Sequence, residues 1–107
     1  MKGYELIFHP EAIDDFDRIE SYITDYAGEA AALRRVAELK TVITQLAVFP
    51  SIRSPRPFVL PKLRLLPHKS TAVICFTVDD AARIVKIICV AYAGQDWQTL
   101  ARGREEP

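Results

Sequence analysis

Residues 70–92 read STAVICFTVDDAARIVKIICVAY, and the reading of this stretch decides the fold. Two runs rich in β-branched, aromatic and other apolar side chains, STAVICFTV at 70–78 and ARIVKIICVAY at 82–92, flank the polar turn DDAA at 79–82. Strand formers on both sides of a short polar turn pair as an antiparallel hairpin. A third β-rich run, KLRLL at 62–66, lies just upstream. Before it, PSIRSPRPFVLP at 50–61 holds four of the seven prolines, so it reads as an extended connection, with Phe58 and Val59 able to press against the body.

The N-terminal half has a different period. YELIFHP places a first strand at residues 3–8. Pro10 suits the first turn of a helix, and Glu11, Asp14 and Asp15 fall where the helix dipole favours negative charge. Ile13, Phe16, Ile19, Tyr22 or Ile23, and Tyr26 recur at three and four, forming one apolar stripe that Gly28 ends. Leu33, Val36, Leu39, Ile43 and Leu46 form a second stripe, closed by Phe49 and Pro50. Two amphipathic helices with so short a joint fold back as an antiparallel hairpin. The order is β-α-α-β-β-β: an α+β fold with a helical hairpin packed on a small, largely antiparallel sheet.

A chain of 107 residues is expected to form a single domain, 1–107. Half of it is hydrophobic and 26% charged, the balance of a soluble globular protein. No run approaches the length of a membrane span, and MKGYELIFHP is not built like a signal peptide, so the expected compartment is the cytoplasm. Cys75 and Cys89 lie in apolar runs without metal-ligand spacing and read as buried free thiols; no metal or cofactor is expected. The tail QTLARGREEP, 98–107, is too short and polar to decide between helix and flexible chain.

Formal net charge is zero but unevenly spread. Residues 1–30 carry two basic against eight acidic side chains, and residues 31–69 carry eight basic against Glu38 alone. The asymmetry reads either as solvated helix faces or as a basic surface for an acidic or polyanionic partner. Zero net charge argues against a protein whose main task is coating nucleic acid.

IFHPEAIDDFDRIESYI, a second helix closing on LAVFP, then LRLL, a strand pair around VD, and a last strand running into AGQDW together resemble the ParE/RelE superfamily, the toxins of type II toxin–antitoxin modules. The likeness runs from about residue 4 to residue 97. It implies a cytoplasmic toxin without cofactor, bound in a hetero-oligomer by a small DNA-binding, ParD-like antitoxin. Operator DNA would be reached only through that antitoxin. Relatives of the RelE type cleave messenger RNA on the ribosome with basic residues of the last strands; the ParE type poisons DNA gyrase. Ala72 stands where the nuclease branch commonly has an arginine, Gln95 and Asp96 follow Gly94 where it has a further cation, and nothing aromatic follows Trp97. Neutral or acidic groups there do not stabilise a phosphate in flight.

The ParE branch, and DNA gyrase as target, is therefore the expectation, without a catalytic set. A nuclease using Arg64, His68 and Lys69, or a non-toxic antitoxin-binding co-repressor, is the alternative. Candidate target contacts are Arg64, His68, Lys69, Gln95, Trp97 and Arg102. For His68 the plainer reading is a solvated loop residue, and for Trp97 an anchor of the tail on the core. Candidate antitoxin contacts are Phe16, Ile23, Arg34, Arg35, Arg53 and Arg56. An amphipathic antitoxin segment would lie on the helical hairpin and the sheet edge.

Overall fold

The computed structural model describes residues 3–48 and 63–104. Arg53, Arg56, the proline-rich connection and the helix stop at Phe49 and Pro50 lie outside the described residues. The elements are β1 (Glu5–Phe8), α1 (Pro10–Ala27), α2 (Glu29–Leu46), β2 (Arg64–His68), β3 (Ala72–Asp79), β4 (Ile84–Tyr92) and α3 (Trp97–Gly103). The expected order is present, with a third helix in the tail that the sequence left open.

The sheet order is β1-β4-β3-β2; β1 runs parallel to β4, and the other pairs are antiparallel. His9 starts α1, its Nδ1 accepting the Glu11 N–H at 3.1 Å, with Pro10 in the first turn. Gly28 alone joins α1 to α2 at φ 93°, ψ 162°, a backbone region that is essentially glycine's. Lys69 and Ser70 both have positive φ and with Thr71 form the three-residue connection from β2 to β3, closed by the Thr71 N–H donating to the His68 carbonyl at 3.1 Å.

The helical hairpin covers one face of the sheet. Ala12, Phe16, Ile19 and Ile23 of α1 and Ala32, Val36, Leu39, Ile43 and Leu46 of α2 pack on Ile74, Phe76, Val85, Ile87 and Val90. This corrects the stripes drawn from periodicity: Ile13, Tyr22, Tyr26 and Leu33 are exposed, while Ala12 and Ala32 are buried. Small side chains let the helix axes approach, so alanine takes inward positions that a search for large apolar residues assigns elsewhere.

The opposite face carries α3. Leu63, Cys75, Ile88, Cys89 and Ala101 form a second cluster, with Trp97 and Leu100 packed against it. An irregularity in the β3–β4 ladder makes this possible. Cys75 is opposite Cys89 and Phe76 is opposite Ile87, so Ile88 is an extra residue. The bulge breaks strict alternation, and Ile87 and Val90 face the helical hairpin while Ile88 and Cys89 both face α3. Both cysteines are buried and free, and the contact with Cys89, together with burial, pushes the Cys75 thiol up.

Candidate functional site

β1 stops at Phe8, the His9 N–H donating to the Ile87 carbonyl at 2.9 Å, so among the described residues no strand pairs with the end of β4 on that side. Side chains satisfy its backbone instead. Asp15 Oδ2 accepts the Val90 N–H at 2.8 Å, and Arg104 Nη1 donates to the Ile88 carbonyl at 3.1 Å. The two groups are joined by a fork, Nη1 to Oδ2 at 2.6 Å and Nη2 to Oδ1 at 2.8 Å, and Arg18 also donates to Oδ1. Asp15 is fully buried and Arg104 nearly so. The bond to Asp15 raises the Arg104 pKa further above its ordinary value. Sequence reasoning missed this pair; the available signal was a carboxylate at position 15, beside Phe16 and one turn before Ile19.

Gln95 and Asp96 have local duties. Gln95 Oε1 accepts the Tyr92 N–H at 3.2 Å, while its own N–H donates to the Tyr92 carbonyl at 3.2 Å, closing the end of β4. Asp96 caps α3 by accepting from the N–H groups of Gln98 and Thr99, and it also accepts the Thr99 hydroxyl at 2.6 Å. These bonds, the Thr99 hydroxyl foremost, hold its pKa below the ordinary carboxylate value.

A second charged cluster ties β2 to α2. His68 Nε2 lies 2.9 Å from Glu38 Oε1, Lys69 Nζ 3.1 Å from the same oxygen, and Arg35 Nη1 3.6 Å from it. His68 is thus a half-buried partner of Glu38 rather than a solvated loop residue. The hydrogen bonds from His68 and then Lys69 hold the Glu38 carboxyl at about 2. Because its folded pKa lies below the unfolded one, its contribution to stability is complete above about pH 4.5 and is lost as pH falls towards 2. Carbon-detected titration is expected to place the Glu38 carboxyl midpoint near 2, and Glu38→Gln to flatten the dependence of Tm on pH between 5 and 2. A midpoint in the usual glutamate range would show that the cluster does not hold in solution.

The six target candidates do not converge. His68 and Lys69 meet at Glu38, but Arg64 is at the far end of β2, opposite Phe76, roughly 13 Å along the strand. Gln95 lies beside Tyr92, Trp97 is half-buried against the second apolar cluster, and Arg102 is exposed in the last turn of α3. Of the antitoxin candidates, Phe16 and Ile23 belong to the core and reach the surface only as groove walls, whereas Arg34 and Arg35 line a cleft with Tyr26 and Tyr92. Tyr22 packs edge-on against both Tyr26 and Tyr92, with ring centroids 5.2 and 6.0 Å apart. Among the described residues no three His, Cys, Asp or Glu side chains are grouped to hold a metal ion, and no helix is long and apolar enough to cross a membrane.

The family model described as the ParE toxin of the type II toxin–antitoxin system parDE matches residues 6–97, from β1 to the first residue of α3. The chain belongs to the ParE toxin family. A search of curated proteins found no match. Among solved structures, a chromosomal ParDE toxin–antitoxin system from P. aeruginosa is similar with TM-score 0.73 and 20% identity, covering 84% of this chain and 96% of that one. A free mutant of the E. coli toxin RelE gives 0.66 and 17%, covering 94% and 95%. A RelBE toxin–antitoxin complex from Mycobacterium tuberculosis gives 0.60 and 18%, covering 84% and 98%. At these identities the likeness is one of fold. Within this ParE-family frame, Ala72, Gln95 and Asp96 are all accounted for by packing, strand termination and helix capping.

Proposed function

We propose that this ParE-family chain is a toxin that inhibits DNA gyrase and is held inactive by a cognate antitoxin. The observation that carries the reading is the occupation of the positions where a nuclease of this superfamily would hold cations. Ala72 is buried, Gln95 is bonded to Tyr92 on both its side chain and its backbone, and Asp96 is committed to the start of α3. A transferring phosphate needs cations and a proton donor in one place, and Ala72, Gln95 and Asp96 bring no cation to it. His68 and Lys69 are engaged by Glu38, whose negative charge would oppose a phosphate approaching them.

The antitoxin's amphipathic segment finds an apolar groove of about 380 Å³ lined by Leu6, Phe8, Ile13, Phe16, Lys40 and Ile43. Ile13 is 56% exposed at its rim. The purified chain is expected to inhibit gyrase-catalysed supercoiling, with relief by the protein of the adjacent reading frame. Induction in cells should raise a DNA-damage response without new 5′ ends in translated messages. New 5′ ends with unimpaired supercoiling would replace this reading with the nuclease one, and a stable complex without growth arrest would replace it with the co-repressor one.

A further inference from the structure

The cleft between the end of α1 and the first half of α2 has a volume of about 280 Å³. Tyr26, Ala27, Ala31 and Tyr92 supply its walls, Arg34 and Arg35 its positive charge, and Glu38 stands beside them. Nη1 of Arg35 is buried there and makes no hydrogen bond to any described residue. The nearest paired carboxylate oxygen, Glu38 Oε1 at 3.6 Å, is beyond hydrogen-bond length and already serves His68 and Lys69. The Arg35 side chain is 29% exposed and paired in charge with Glu38, but its enclosed Nη1 lacks an acceptor at hydrogen-bond length, a place that an incoming oxygen can take.

We propose that this cleft is an anion subsite that receives a side-chain carboxylate from an acidic, partly apolar segment of a protein partner. The guanidinium fork of Arg35 matches the two oxygens of a carboxylate, and Arg34 adds a second positive charge at the mouth. Ala27, Ala31 and Ile23 make an apolar passage suited to the methylene stem of a glutamate or aspartate. Exposed Tyr26 and Leu33, at 63% and 53%, offer apolar surface nearby for the neighbouring residues of such a segment. A nucleic-acid strand fits less well: it brings a charge with every phosphate, and here a cleft with one carboxylate at its side belongs to a chain of zero net charge. The occupant rests on the proposed neutralisation by a protein partner, but the subsite is tested without that partner.

The experiment is an NMR titration of the full chain with N-acetyl-glutamate α-amide, which carries one side-chain carboxylate, and separately with adenosine 5′-monophosphate. The glutamate derivative is expected to give saturable shifts at the amides of Ala31, Arg34 and Arg35 and at the Arg35 side chain. Arg35→Met is expected to weaken that binding about tenfold, and Arg34→Met, at an exposed position, to weaken it about threefold and to serve if the first variant does not fold. Arg35→Met also removes the ion pair with Glu38, so its melting temperature is measured beside that of the parent chain and binding is read only where the variant is folded. Absence of saturable shifts, or equal binding by the variants, overturns the subsite. Tighter binding of the nucleotide overturns the acidic-peptide occupant. Neither failure touches the gyrase assay, which reads a different activity.

Discussion

Asp15→Ala is expected to lower the free energy of unfolding by about 3–5 kcal/mol, because it leaves the guanidinium of Arg104 buried without its counter-charge. It also removes the acceptor of the Val90 N–H on an edge that no described strand covers. Against a total of about 5–15 kcal/mol for a domain of this kind, a loss of that size removes from about a fifth to all of the stability. Arg104→Ala should cost less, since Asp15 keeps Arg18 and the Val90 amide as partners. The asymmetry is informative. If the fork were merely a favourable contact, either truncation would cost the same; if desolvated charge dominates, the order is Asp15 before Arg104, and Asp15→Leu with Arg104→Met recovers most of the loss. Urea unfolding of the three variants reads this directly, and a loss below about 1 kcal/mol for Asp15→Ala would place the pair with ordinary surface ion pairs.

The cost falls on the junction of α1, β4 and α3, which explains why part of the molecule was legible in its sequence and part was not. Periodicity and turn chemistry are local, and they placed both long helices, the hairpin of β3 and β4, and Pro10 in the first turn of α1. The joint at Gly28 was equally plain, because only glycine suits its backbone angles. What could not be read is whatever depends on residues far apart in the chain. Asp15 and Arg104 lie 89 positions apart, and Glu38 and His68 lie 30 apart. No motif links them, since each is satisfied by the arrangement of elements rather than by spacing.

The bulge at Ile88 was hidden for a related reason. KIICVAY alternates too little to show a phase change, because both faces of β4 are buried and nearly every position is apolar. The same loss of contrast affects the candidate site. The significance of AGQDW after that strand came from comparison with the superfamily pattern, and the structure supplies its physical content: Gln95 and Asp96 are taken up in ending a strand and starting a helix.

Phe76→Ala offers the sharpest test of the corrected core, with an expected loss of about 3–5 kcal/mol. The ring is fully buried under the helical hairpin, on the strand between β2 and β4 and next to the irregularity in the ladder. Neighbours on the strands to either side leave little room for collapse into the vacated space, so the cavity cost adds to the lost transfer energy. Ile13→Ala is the matched control. Periodicity ranks Ile13 with Phe16 and Ile19 in one stripe, yet its side chain is more than half exposed, and its truncation is expected to change stability by no more than about 0.5 kcal/mol. Comparable losses at the two positions would mean that α1 is rotated relative to the sheet, with Ile13 turned inward in place of Ala12. A large loss at Phe76 with none at Ile13 fixes that rotation, and with it the orientation of Asp15 towards β4 and the exposure of Ile13 at the rim of the groove assigned to the antitoxin.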